Sequence, residues 1–94
     1  EAVSFYENGQ MESQRHFVND EEDGIAKYWS ENGKLTKEKM YHLGLVDGAT
    51  TEYYDTYKVQ GQYINGKEEG EWKYIDTLGK VTRIDIYKNG EKKK

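Results

Sequence analysis

Tyr63-Ile64-Asn65-Gly66-Lys67-Glu68-Glu69-Gly70-Glu71-Trp72-Lys73-Tyr74 carries a pattern, aromatic-x-x-Gly-x-x-x-Gly-x-x-x-aromatic, that is echoed in both directions along the chain. Phe17-x-x-Asp20-x-x-x-Gly24, Tyr41-x-x-Gly44-x-x-x-Gly48 and Tyr87-x-x-Gly90-x-x-x-Lys94 share its register, with periods of 24, 22 and 24 residues. A fixed period of this length marks tandem structural units rather than one irregular domain. A second recurring unit lies between these blocks: Glu7-Asn8-Gly9-Gln10-Met11, Glu31-Asn32-Gly33-Lys34-Leu35, Thr56-Tyr57-Lys58-Val59 and Leu78-Gly79-Lys80-Val81. Nine of the ten glycines fall at these shared positions, and only Gly61 does not.

The glycines read as turn chemistry. Asn-Gly at 8–9, 32–33, 65–66 and 89–90, and Asp-Gly at 23–24 and 47–48, tolerate the positive φ that tight hairpin turns need. Between turns the apolar residues keep even spacing, as in Met11 and Phe17, Leu35 and Tyr41, Val59 and Tyr63, and Val81 and Tyr87, which places each pair on one face of a strand. Gly70, Trp72 and Tyr74 share one parity, as do Gly24, Ala26 and Tyr28; a glycine on the aromatic face is expected to leave room for a neighbouring ring. No stretch carries a helical period. The expected fold is all-β: tandem antiparallel hairpins stacked into an elongated, twisted meander sheet of about eight strands, with four repeats at roughly 1–23, 24–47, 48–69 and 70–94. His42 to Gly48 reads as a looser connection, and Asp55 to Lys58 as a turn.

These residues resemble the MORN repeat variant, the bacterial relative of the membrane occupation and recognition nexus repeat. The resemblance rests on Gly70-Glu71-Trp72-Lys73-Tyr74, Glu31-Asn32-Gly33-Lys34-Leu35 and Tyr87-Lys88-Asn89-Gly90, and four units in register cover nearly the whole chain. Tyr57 replaces the turn glycine of the third unit, Asp20 that of the first, and Ala26 and Thr50 stand where Trp72 stands. The resemblance implies stacked hairpins and no particular reaction. It also implies two further roles as alternatives: an antitoxin-like component of a bacterial toxin–antitoxin system, neutralising a basic toxin, or a membrane-surface or phospholipid-binding module.

Composition bounds the rest. A mean hydropathy of −1.14, with 34% hydrophobic and 34% charged residues, is poor for a globular core. Nine Tyr, two Trp and two Phe compensate by burying area while keeping a polar edge wet, and stacked repeats need no single core. A net charge of −4 argues against nonspecific nucleic-acid binding, which needs a basic footprint. It also argues against anionic membranes, since Lys92 to Lys94 is the one basic run. With no Cys there are no disulfides and no thiolate chemistry. A chain that starts at Glu1 is expected to be a mature or trimmed product, such as the exported part of a bacterial protein.

No catalytic constellation emerges. Asp20 to Asp23 lacks the alternating ligands and closing Glu of a calcium loop and reads as a solvated turn. His16 and His42 have no third metal ligand, Ser30, Thr50 and Thr51 have no nucleophile elbow, and Asp55 and Asp76 recur because turns recur. No phosphate-cradling glycine loop or cofactor motif is present. The chain therefore reads as a non-catalytic scaffold that binds a protein partner through its surplus of aromatics: Tyr28, Trp29, Tyr53, Tyr54 and Tyr57. Adjacent aromatics on a strand point to opposite sides, so one of each pair is expected on an outer face. The first and last strands are expected to favour edge-to-edge homodimers.

Overall fold

The computed structural model describes residues 1–93. Lys94, which ends the basic tail and the fourth copy of the repeat pattern, lies outside the described residues. Eleven strands form in chain order: β1 (Ala2–Phe5), β2 (Met11–Arg15), β3 (Phe17–Val18), β4 (Glu21–Glu22), β5 (Gly24–Trp29), β6 (Leu35–His42), β7 (Leu45–Tyr53), β8 (Tyr57–Ile64), β9 (Lys67–Asp76), β10 (Val81–Lys88) and β11 (Glu91–Lys93). Nine of them make one antiparallel meander, β1-β2-β5-β6-β7-β8-β9-β10-β11, and β3 and β4 pair as a separate short hairpin. The fold is all-β, as the repeat pattern predicts, with more and longer strands than the eight expected.

Two kinds of turn recur. At Asn65-Gly66 and Asn89-Gly90 both residues have positive φ, 51° and 87°, then 52° and 86°, the conformation of two-residue hairpin loops whose twist matches the strands. Leu43-Gly44 (50° and 84°) and Asn19-Asp20 (50° and 68°) do the same. His42 to Gly48 is therefore not a loose connection: β6 turns tightly into β7, and Leu43 supplies a conformation for which β-sheet turns usually use Asn. At Asn8-Gly9, Asn32-Gly33 and Leu78-Gly79 only the glycine is positive. These are three-residue loops closed by backbone bonds such as Ser30 N to Lys34 O and Asp76 N to Lys80 O. In all three loops an Asx side-chain oxygen tightens the turn, Asn8 Oδ1 accepting from Gln10 N at 2.9 Å, Asn32 Oδ1 from Lys34 N at 3.4 Å and Asp76 Oδ1 from Leu78 N at 3.0 Å.

The Asp-Gly pairs are not turns. Gly24 opens β5 and Gly48 lies inside β7, with φ of 111° and 112°, and Gly70 (77°) lies inside β9. Each sits where the returning strand carries two more residues than its partner. Lys39 pairs with Thr50 while Tyr41 pairs with Val46, and Gln60 pairs with Lys73 while Gln62 pairs with Glu69. Such bulges bend the strand and re-aim its side chains. Each of these glycines pairs with the aromatic that opens the next unit's tip: Gly24 with Tyr41, Gly48 with Tyr63, Gly70 with Tyr87. The positive φ, rather than a tyrosine or tryptophan ring, requires glycine there: a Cβ would meet His16 at an ordinary 3.6 Å beside Gly24, and the flexible side chains of Met40 and Gln62 at 3.1 Å beside Gly48 and Gly70. Beyond the bulges the tips are stitched together, Gly44 N donating to Glu22 O, Gly66 N to Val46 O and Gly90 N to Glu68 O at 2.8–3.0 Å.

The unequal period follows from the turns. In the second and fourth units a three-residue loop is followed by a one-residue bulge, opposite Tyr28/Trp29 and near Val81. In the third unit Tyr53 pairs with Lys58 and Glu52 with Val59 without interruption, so Asp55-Thr56 is a two-residue loop and Tyr57 already belongs to β8. One loop residue and one bulge residue fewer account for a period of 22 instead of 24.

The molecule measures 41 × 33 × 16 Å, the thickness of a single sheet with its side chains. Its buried apolar residues are Ala26, Val59 and Trp72. Ala26, Thr50 and Trp72, the three equivalent positions of successive units, are 0%, 2% and 7% exposed, so this middle row is the core whatever residue fills it. The acidic run is not wholly solvated either. Glu22 is buried and takes both Arg15 Nε (3.0 Å) and Nη2 (2.8 Å) in a two-pronged bond. Asp85 repeats the arrangement with Arg83 at the other end of the sheet.

Candidate functional site

Strand pairing puts partners on one face, and the registers align a row across eight strands: Ser4, Ser13, Tyr28, Lys37, Glu52, Val59, Tyr74 and Arg83. On this face the two-residue loop of the third unit sets Tyr54 directly across from Tyr57. The rings stack with centroids 4.8 Å apart and planes at 18°. Tyr57 in turn stacks on Tyr74 at 5.9 Å and 22°, and the guanidinium of Arg83 covers the far side of that ring at 4.6 Å. A four-member ladder thus crosses β7 to β10. A second aromatic row lies beside it: Tyr63 meets Trp72 edge to face at 5.2 Å, and Trp72 meets Tyr87 at 5.8 Å. Offset and edge contacts of this kind each add about 0.5–1.5 kcal/mol beyond area burial.

Between the two rows is a cleft of about 220 Å³, floored by Val59 and Trp72. Glu52 and Glu68 line it, and neither forms a salt bridge among the described residues. Their charge is felt locally. Tyr54 Oη donates to Glu52 Oε1 at 2.8 Å, which with burial pushes the phenol up to about 12. Burial and then Glu68 and Glu52 raise Tyr63. Burial and Lys37 lower Lys39, whose Nζ lies 5.7 Å from the Tyr63 ring. The indole N–H of Trp72 is buried without a hydrogen-bond partner.

Of the five aromatics singled out from the sequence, the structure unites Tyr54 and Tyr57 in this ladder. Tyr28 shares the face but lies two strands away, with Lys37 Nζ 5.4 Å over its ring. Trp29 points to the opposite side and offers its backbone carbonyl to Tyr6 Oη at 2.7 Å. Tyr53 also points to the opposite face, where its hydroxyl donates to Glu38 at 2.7 Å and is pushed up to about 12 by that bond. The expected division of adjacent aromatics between two faces holds for Tyr53 and Tyr54. Tyr74, Tyr87 and Arg83 were not singled out; the repeat register, which aligns Tyr63 with Tyr87, was the available signal.

The arrangement offers ring faces, carboxylates and a guanidinium, groups suited to stacking, hydrogen bonding and ion pairing. The family model for the MORN repeat variant matches residues 1–19 and 22–42, the first two units. No curated protein matches the chain.

Proposed function

Because the chain is a MORN-repeat protein, with repeat variants matched over residues 1–42, we propose that it is a non-catalytic scaffold that holds another protein on its aromatic face. MORN repeats generally serve as scaffolds that bind proteins or membranes. The observation that carries the reading is the ladder of Tyr54, Tyr57 and Tyr74, with Tyr54 50% and Tyr57 37% exposed on a sheet one layer thick. Tyr supplies large contact area at low entropic cost, and Tyr and Arg are enriched among the residues that dominate binding energies when a partner excludes water around them. A face of 41 × 33 Å exceeds the roughly 800 Å² that one side of a standard interface needs.

The test compares the wild-type chain with Tyr54→Ser/Tyr57→Ser in affinity capture from the source lysate, with far-UV circular dichroism to verify folding. Captured partners are then footprinted by hydrogen exchange. A partner held by the wild type, lost by the folded variant and protecting β7 to β10 is the expected result. Identical capture by both chains would sink the proposal.

A further inference from the structure

We infer that the cleft between the two aromatic rows is a receptor for a cationic side chain, arginine or lysine, presented by an extended segment of the partner. The inference rests on the proposed protein-binding role and narrows it to a chemistry. Ring faces carry negative quadrupole potential, and of the tyrosines that line the cleft, Tyr54 and Tyr57 have no cation over their rings among the described residues. Glu52 and Glu68 add two carboxylates that are part-buried and without salt bridges among the described residues. A cation set between two such carboxylates makes charge-assisted hydrogen bonds to both, which makes it the complementary ligand.

The chain's own side chains show what this face accepts. Arg83 lies 4.6 Å over Tyr74, Lys37 lies 5.4 Å over Tyr28 and Lys39 lies 5.7 Å over Tyr63. Three cations thus occupy three rings, while the stacked pair Tyr54–Tyr57 beside Glu52 has none recorded among the described residues. Lys39 lies over Tyr63, which lines the cleft, and feels the charges of Glu52 and Glu68, so it competes with an incoming cation for both carboxylates. The net charge of −4 favours a basic partner at long range. A sugar ring would stack on the tyrosines but would bring no charge to Glu52 and Glu68, which form no salt bridge among the described residues, so the cation is the better fit.

The experiment titrates the full chain with a capped peptide of alternating Arg and Thr, against the same peptide with citrulline, which keeps the shape of Arg and removes its charge. Amide resonances of the protein report the site. The Arg peptide is expected to shift Glu52, Tyr57, Glu68 and Tyr74, and the citrulline peptide to bind at least about tenfold more weakly. Glu52→Gln/Glu68→Gln is expected to lose about tenfold, and Lys39→Met to tighten binding severalfold. Equal binding of both peptides, an unchanged affinity in the double Gln variant, or shifts caused by a neutral oligosaccharide and not by the Arg peptide would each overturn the inference. Should the double variant misfold, Lys39→Met decides alone, since weaker or equal binding contradicts the assignment. A captured partner that is lost with Tyr54→Ser/Tyr57→Ser yet indifferent to Glu52→Gln/Glu68→Gln would keep the scaffold and refute the cation site.

Discussion

The indole of Trp72 lies face-on against Gly61, so close that a Cβ on Gly61 would meet the fused-ring atoms Cδ2, Cε2 and Cε3 at 2.2–2.6 Å. Gly61 is the one glycine outside the repeat pattern and the one whose φ is not positive, so its role is space and not backbone freedom. A glycine covered by a cross-strand ring is a known way to hold a sheet together where no side chain fits. Gly61→Ala is therefore expected to cost about 3 kcal/mol or more, read as a lowered urea midpoint, since overpacking against a buried ring has no cheap relief. Adding Trp72→Ala should recover part of that loss, a negative coupling in a double-mutant cycle. Additive losses would refute the contact.

Tyr54 and Tyr57 stack because their loop has two residues and no bulge. Inserting Asn-Gly between Asp55 and Thr56 would restore the 24-residue period of the flanking units. The chain should stay folded, since lengthening a short surface loop costs only about 0.6 kcal/mol per doubling. The near-UV circular dichroism of the stacked rings should fall, with the far-UV spectrum kept. An unchanged near-UV spectrum would show that loop length does not set the stack.

The Tyr54 phenol, held up to about 12 by its bond to Glu52, should ionise late in an absorbance titration of tyrosinate. A group whose folded pKa is raised stabilises the fold fully below its unfolded value, about 10, and that contribution fades as pH rises through 12. Tyr54→Phe should remove one late-titrating tyrosine, and Glu52→Gln should return it toward about 10. A titration curve indifferent to both changes would contradict the bond.

Asp20 occupies the second turn position with φ of 68°, where Gly44, Gly66 and Gly90 stand in the other units. Asp20→Gly should stabilise the chain by about 1 kcal/mol through relief of the left-handed conformation. A lowered melting temperature would mean that the Asp side chain contributes more than the backbone loses.

β1 and β11 are the outermost strands of the described sheet. β11 is guarded by Glu91, Lys92 and Lys93, whereas β1 exposes Val3 and Phe5. Charged edges resist pairing and apolar ones invite it. The chain should therefore form a concentration-dependent dimer through β1 that Val3→Lys abolishes, with sedimentation velocity as the readout. A monomer at every concentration would count against this.

The sequence by itself determined the architecture. Two-residue turns need positive φ, Asn and Gly supply it at little cost, and the requirement is local, so Asn65-Gly66 and Asn89-Gly90 announced hairpins without reference to any other residue. The recurrence of those turns determined the repeat, and parity along a strand separated Tyr53 from Tyr54. Parity could not choose the site. Asp23-Gly24 and Asp47-Gly48 have turn composition yet serve as bulges, because the register of the neighbouring strand leaves two residues over at each. Tyr28 and Trp29 resemble Tyr53 and Tyr54 as a pair, but a three-residue loop and its bulge part the strands beyond them. Only pairing between different hairpins, Val59 with Tyr74 and Tyr74 with Arg83, brings the ladder together, and only there does Gly61 gain a ring to receive. Register between strands depends on the sum of loop and bulge lengths on both sides, a quantity that no single stretch of residues carries.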